Sequence, residues 1–129
     1  MMDYILEKKV HSDLSGVKNI VEDILLNIRD VINENIFFNT KIILYELLIN
    51  GVMHGNSQDV SKLVSVRVLI NNRCIIIEVA DEGKGVNYIH KELGEYDFSE
   101  SGRGLMLVEG LSDKFSVEGN RVTCIQYIK

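Results

Sequence analysis

The stretch YELLINGVMHGN, residues 45–56, places Glu46, Asn50 and His54 at intervals of four inside an apolar run. On an α-helix four residues turn through about 400°, so the three side chains drift by only about 40° per step and share one face. Ile42, Ile43, Leu44, Leu47, Leu48, Ile49, Val52 and Met53 cover most of the remaining circumference. A helix that apolar belongs inside a protein. A carboxylate and an amide in such surroundings must be paired or wetted, which predicts that the stripe lines a cleft. Gly51 interrupts the helix at a cost of about 1 kcal/mol relative to alanine and signals close approach by something.

Outward from this helix, residues 3–10 alternate as a first, edge strand, and Asp13 to about Ile32 repeats apolar residues at three and four with Asp13 as cap. Asn39 or Thr40 is the expected cap of the stripe helix, which should end near His54–Gly55. LVSVRVLINNRCIIIEVA reads as a hairpin turning at Asn71–Asn72, residues that tolerate left-handed geometry. Residues 86–101 keep neither period and read as a loop. GLMLVEGLSDKF resumes a helix, and FSVEGNRVTCIQYI gives two strands across Gly119–Asn120. The order β-α-α-β-β-loop-α-β-β, without repeats, prolines or an obvious linker, predicts one domain over 1–129. Its fold class is α+β, a two-layer α/β sandwich with a mixed, mostly antiparallel sheet covered by helices on one face.

Composition narrows the function classes. The 129 residues are 46% hydrophobic and carry a formal net charge of −5, enough for one core and lacking the basic face that phosphate-backbone binding needs. No nucleic-acid partner is expected. The N-terminus has Asp3 and Glu7 where a signal peptide wants basic residues, and no membrane span is expected, so the reading is cytoplasmic with no membrane partner. Cys74 and Cys124 lack metal-type spacing and read as free, buried thiols.

Two further motifs carry chemistry. In IIIEVADEGKGV a strand delivers Asp81, then Gly83 and Gly85. Taken alone, a strand-terminating turn is the preferred reading. The functional reading makes the carboxylate an acceptor for an exocyclic amine such as adenine N6, with glycines admitting the ligand to the backbone. In SGRGLML, Gly102 and Gly104 open the last helix, where free N–H groups suit a phosphate and Arg103 or Lys84 adds charge. An ordinary flexible helix entry fits the spacing equally well. For His54 a C-terminal helix cap is preferred over a ligand role. Glu46 beside Asn50 offers a base and a neutral oxygen ligand for a hard cation such as Mg²⁺.

Together and in this order, ELLINGVMHGN, DEGKG and SGRGL resemble the N, G1 and G2 boxes of the GHKL (Bergerat-fold) ATPases. The compact length and the E-x-x-x-N-x-x-x-H-G form are most similar to the bacterial anti-sigma-factor serine kinases. The resemblance covers roughly residues 8–129. It implies ATP and Mg²⁺ as cofactors, with Asn50 on the metal, Asp81 on adenine, Gly83 and Gly85 shaping the purine pocket, and Gly102, Arg103 and Gly104 at the phosphates. Glu46 stands where the family activates the acceptor hydroxyl. The implied partners are a sigma factor and an anti-anti-sigma (STAS-type) protein phosphorylated on serine, and the implied assembly is a homodimer through the N-terminal strand and first helix. The final EGNRVTCIQYIK departs from the Gly-x-Gly-Thr of the wider superfamily, which leaves Thr123 without an assigned place. Two other classes stay open: a detached histidine-kinase-type ATP domain served by a phospho-acceptor on another chain, and a nucleotide-gated binding module without transferase activity.

Overall fold

A computed structural model describes residues 4–83 and 100–128, with side chains from 104 onward in the second stretch. Five strands, β1 (Tyr4–His11), β2 (Leu63–Ile70), β3 (Cys74–Ala80), β4 (Lys114–Glu118) and β5 (Arg121–Tyr127), form one sheet in the order β1-β2-β3-β5-β4. Three helices, α1 (Leu14–Ile28), α2 (Glu34–Asn50) and α3 (Glu100–Leu111), cover one face, and α2 runs on into a π-helical turn at Gly51–Gly55. The α+β two-layer sandwich read from the sequence is the architecture observed. All four pairings are antiparallel, so the parallel component allowed for in a mixed sheet is absent among the described strands.

The period of two decides which side of each strand is buried. Val64, Val66, Val68 and Ile70 of β2, Ile75, Ile77 and Val79 of β3, and Val122 and Cys124 of β5 turn to the helices. They meet Val17, Val21, Ile24 and Ile28 of α1 and Ile43, Leu44, Leu47 and Leu48 of α2. Burial pushes the Cys124 thiol up to about 12 against a hydrogen bond with Ser112. Cys74 is half-buried, so only one of the two free thiols is enclosed as expected. The opposite sheet face carries ion pairs of Arg67 with Glu7 at 3.0 Å and Arg121 with Glu78 at 3.3 Å. The stretch Glu34–Gly55 is long and apolar enough by composition to cross a membrane. Packing of its inner face against the sheet accounts for that apolarity.

The helix boundaries differ from the sequence reading for local reasons. Asp13 caps α1 as expected, its side chain accepting the Ser15 N–H. The helix stops at Ile28 rather than near Ile32, because Val31 N–H turns back to Ile28 O at 3.0 Å and the chain reverses into the next cap. That cap is Asn33, neither Asn39 nor Thr40: Asn33 is extended (ψ 169°) and its Oδ1 accepts the Ile36 N–H at 2.9 Å. Thr40 lies inside α2, fully buried, and its hydroxyl accepts from Gln126 Nε2 at 3.0 Å. The β2–β3 turn also differs. Asn71 Oδ1 accepts from the N–H groups of Arg73 and Cys74 at 2.8 and 2.9 Å, a side-chain mimic of a turn. Among the described residues other than glycine, positive φ occurs at Ser57 and Gln58, not at the asparagines.

These boundaries make a prediction. Asn33→Ala should cost about 1 kcal/mol of unfolding free energy in urea, the usual loss of a side-chain N-cap. Asn39→Ala, inside the helix, should leave stability within about 0.5 kcal/mol of the parent. The reverse order would return the cap to Asn39.

Candidate functional site

Glu46 and Asn50 stand one turn apart on the last part of α2. Asn50 is buried, and its Oδ1 has no hydrogen-bond partner among the described residues. An unpaired buried oxygen costs about 1–3 kcal/mol, and Asn50 Oδ1 shares that status with Gln126 Oε1 in the core; Asn50 differs in standing one turn from the Glu46 carboxylate. A neutral oxygen suits a hard cation, and the residues present fit Mg²⁺ in that respect. No group of three His, Cys, Asp or Glu residues forms a metal site among the described residues. Glu46, half-buried, reaches across to α3. A methyl group on Gly104 would lie 2.6 Å from Glu46 Oε2, so any side chain at 104 would displace the carboxylate.

Gly51 allows the close approach its position signalled, and the approaching group is the sheet: a Cβ there would lie 3.2 Å from Val64 Cγ1 and 3.7 Å from Asp81 Cβ. Beyond Gly51 the helix widens to a π turn, with Asn56 N–H bonded to Gly51 O at 2.8 Å. Four residues no longer complete a turn there. The stripe therefore breaks after Asn50, and His54 is exposed rather than continuing the face.

Asp81 is the first residue past β3, the middle strand, and is buried. Its Oδ1 accepts the Gly83 N–H at 2.7 Å. Its Oδ2 lies against Gly55, where a Cβ would stand 2.0 Å away, and a Cβ on Gly83 would stand 2.1 Å from Gly55 O. Only two glycines let these segments interlock with the carboxylate between them. Burial raises the Asp81 carboxyl above its ordinary value of 3.8, opposed by the Gly83 hydrogen bond. In the sequence Gly55 marks only the end of the stripe helix and Asn120 only a turn, and neither signals a place beside Asp81. Asp81 N–H donates to Asn120 O at 3.1 Å, and Asn120 Nδ2 donates back to Asp81 O.

Gly102 and Gly104 do not open α3, which starts at Glu100. Gly102 falls in the first turn, whose N–H groups have no intrahelical partner, while Gly104 lies farther in, facing Glu46. The side chain of Arg103, together with Lys84, Gly85 and most of the 86–101 loop, lies outside the described residues. Thr123 pairs with Glu78 and Ser116 on the face away from the helices, so it takes no part in the cleft. Gly51, next to Asn50, brings the end of α2 against Asp81 at one end of the sheet, and one turn earlier Glu46 lies against Gly104 of α3.

Residues 11–129 match the histidine kinase-like ATPase domain family. The anti-sigma F factor of Clostridium acetobutylicum is 28% identical over 88 residues, 64% of this chain and 61% of that protein. The anti-sigma F factor of Geobacillus stearothermophilus is 28% identical over 96 residues, 69% and 65% of the two chains. The serine-protein kinase RsbW of Bacillus thuringiensis is 33% identical over 101 residues, 69% and 62%. The chain spans less than two thirds of the length of these relatives.

The raised carboxyl predicts a pH signature for Asp81→Asn. Between 3.8 and its raised native value, folded Asp81 holds a proton that the unfolded chain has released, so native stability falls as pH rises through that window. The asparagine variant lacks this loss. It should melt with the parent below the window and above the parent at neutral pH, while losing affinity for adenine nucleotides. A variant less stable than the parent at neutral pH would show that the ionised carboxylate supports the fold.

Proposed function

The chain belongs to the histidine kinase-like ATPase family, of the anti-sigma-factor kinase type, and from that premise we propose that it is an ATP-dependent protein-serine kinase that also holds a sigma factor. The observation that carries the reading is the unpartnered Asn50 Oδ1, one turn from a carboxylate that Gly104 leaves room for. Asp81 accepts the adenine amine, Gly83 and Gly85 shape the purine pocket, and Gly102, Arg103 and Gly104 hold the phosphates. Asn50 would hold a Mg²⁺ ion, which when bound would supply charge neutralisation at the phosphates.

Phosphoryl transfer requires positioning more than covalent chemistry. The serine Oγ of an anti-anti-sigma partner forms a bond to the γ-phosphorus as the bond to the β–γ bridging oxygen breaks, and ADP leaves. Glu46 takes the hydroxyl proton. The names of the relatives, anti-sigma F factor and serine-protein kinase, support this choice of partner and reaction. A cytoplasmic place and a homodimer belong to the same reading; exposed Ile5 on edge strand β1 supports an apolar contact there.

The test is Glu46→Gln, which keeps size and polarity but removes the basic oxygen. The variant should fold, bind Mg-ATP as the parent does, and transfer phosphate to the partner serine about 10²-fold more slowly or worse. Near-normal transfer by the folded variant would remove Glu46 from catalysis. Tight ATP binding by the parent with no transfer to any partner would make the protein a nucleotide-gated binding module instead.

A further inference from the structure

We infer that Asn56 is a positioning residue for base recognition: its buried carboxamide fixes the turn on which Asp81 is carried. The inference rests on the nucleotide reading above. Asn56 follows the π turn, is 1% exposed, and pairs both its amide nitrogen and its oxygen. Nδ2 donates to Ser12 Oγ at 2.9 Å and to Leu63 O at 3.0 Å, while Oδ1 accepts the Glu82 N–H at 2.7 Å. One side chain thus joins the end of β1, the start of β2 and the segment leaving β3. Aspartate has no N–H to donate, leucine has no polar atoms, and glutamine is a methylene too long for an enclosed site.

The surrounding chain is built to present this amide. Ser57 and Gln58 both take left-handed φ, 51° and 58°, a conformation that residues other than glycine rarely adopt. Ser12, itself 1% exposed, donates through Oγ to Lys62 O at 2.9 Å, and the Glu82 carboxylate accepts the Leu63 N–H. Both polar backbone groups of Leu63 are thereby tied to this corner. Asn120 holds the Asp81 N–H and the carbonyl side of the Asp81–Glu82 peptide, and Asn56 holds the N–H side of that same peptide. Gly83, whose N–H orients Asp81 Oδ1, follows directly.

The consequence is selectivity. Adenine offers an amine to Asp81, whereas guanine offers a carbonyl oxygen that faces an acceptor with an acceptor. A site that hydrogen-bonds one group rejects the other only while its own group is held in place. Loss of the Asn56–Glu82 bond leaves the Asp81–Glu82 peptide anchored on its carbonyl side alone, which loosens the Gly83 N–H that orients Asp81 Oδ1, so ATP affinity falls while contacts to the phosphates remain.

The experiment compares Mg-ATP and Mg-GTP binding by calorimetry for the parent, Asn56→Ala and Ser12→Ala, with melting curves on the same samples. Asn56→Ala should reduce the ATP-to-GTP affinity ratio by about 10-fold or more, the loss of at least one hydrogen bond's discrimination. Ser12→Ala leaves the Glu82 bond in place and should lower melting temperature with the ratio unchanged. A folded Asn56→Ala protein with the parent's ratio would overturn the inference, leaving Asn56 a purely structural amide. Should Asn56→Ala fail to fold, NMR of the parent decides: ATP should shift the Asn56 carboxamide and Glu82 amide signals and GTP should not, and equal shifts or none would overturn it. A parent that binds neither nucleotide would overturn the nucleotide reading, and the inference with it.

Discussion

Asp81 sits at the end of the middle strand with one carboxylate oxygen on the Gly83 N–H and the other against the Cα of Gly55. Gly55 and Gly83 touch each other around it so closely that a methyl group on either would overlap its neighbour. That interlock fixes the rest of the site. It limits how far the end of α2 can stand from the sheet, and the π turn of Gly51–Gly55 that carries Gly55 follows directly on Asn50. Gly51 performs the matching task one turn earlier, letting the helix settle on Val64.

The arrangement is costly in isolation. A buried carboxyl raised by desolvation and a buried amide oxygen with no partner both oppose folding. The offset comes from the layer beneath, where β2, β3 and β5 contribute a largely apolar face to α1 and α2, interrupted by the Gln126–Thr40 hydrogen bond. Burial of each large aliphatic side chain there stabilises by about 1.5–3 kcal/mol. The polar end is thus carried by the apolar middle, and a ligand that satisfies Asn50 and Asp81 would add stability in proportion to its occupancy.

The architecture was legible because its signals are local. Strand alternation, the three-and-four repeat of α1 and the Gly119–Asn120 turn, with Gly119 at φ 59°, each occupy a few consecutive residues. The candidate site was legible at Glu46, Asn50, Asp81 and Gly83, where an unusual residue type stands in an otherwise apolar or strand-like run. What escaped depends on distant partners. Nothing near Asn56 in sequence announces bonds to Ser12 and Glu82, 44 and 26 residues away. The helix cap was misplaced because Asn33, Asn39 and Thr40 all suit the role by type, and only the tertiary contact of Thr40 with Gln126 draws it inside. His54 was aligned with the stripe by assuming α-helical spacing across a segment that is π-helical.

The central claim is that one nucleotide spans this cleft, with its base at Asp81 and its phosphates near Asn50 and Glu46. A crystal structure of the protein with Mg²⁺ and a non-hydrolysable ATP analogue tests it most directly. The expected map has the adenine amine within hydrogen-bonding distance of Asp81 Oδ2, the metal on Asn50 Oδ1, and the γ-phosphate beside the Glu46 carboxylate. A nucleotide bound elsewhere, or bound here with Asn50 Oδ1 still unpartnered, would contradict it.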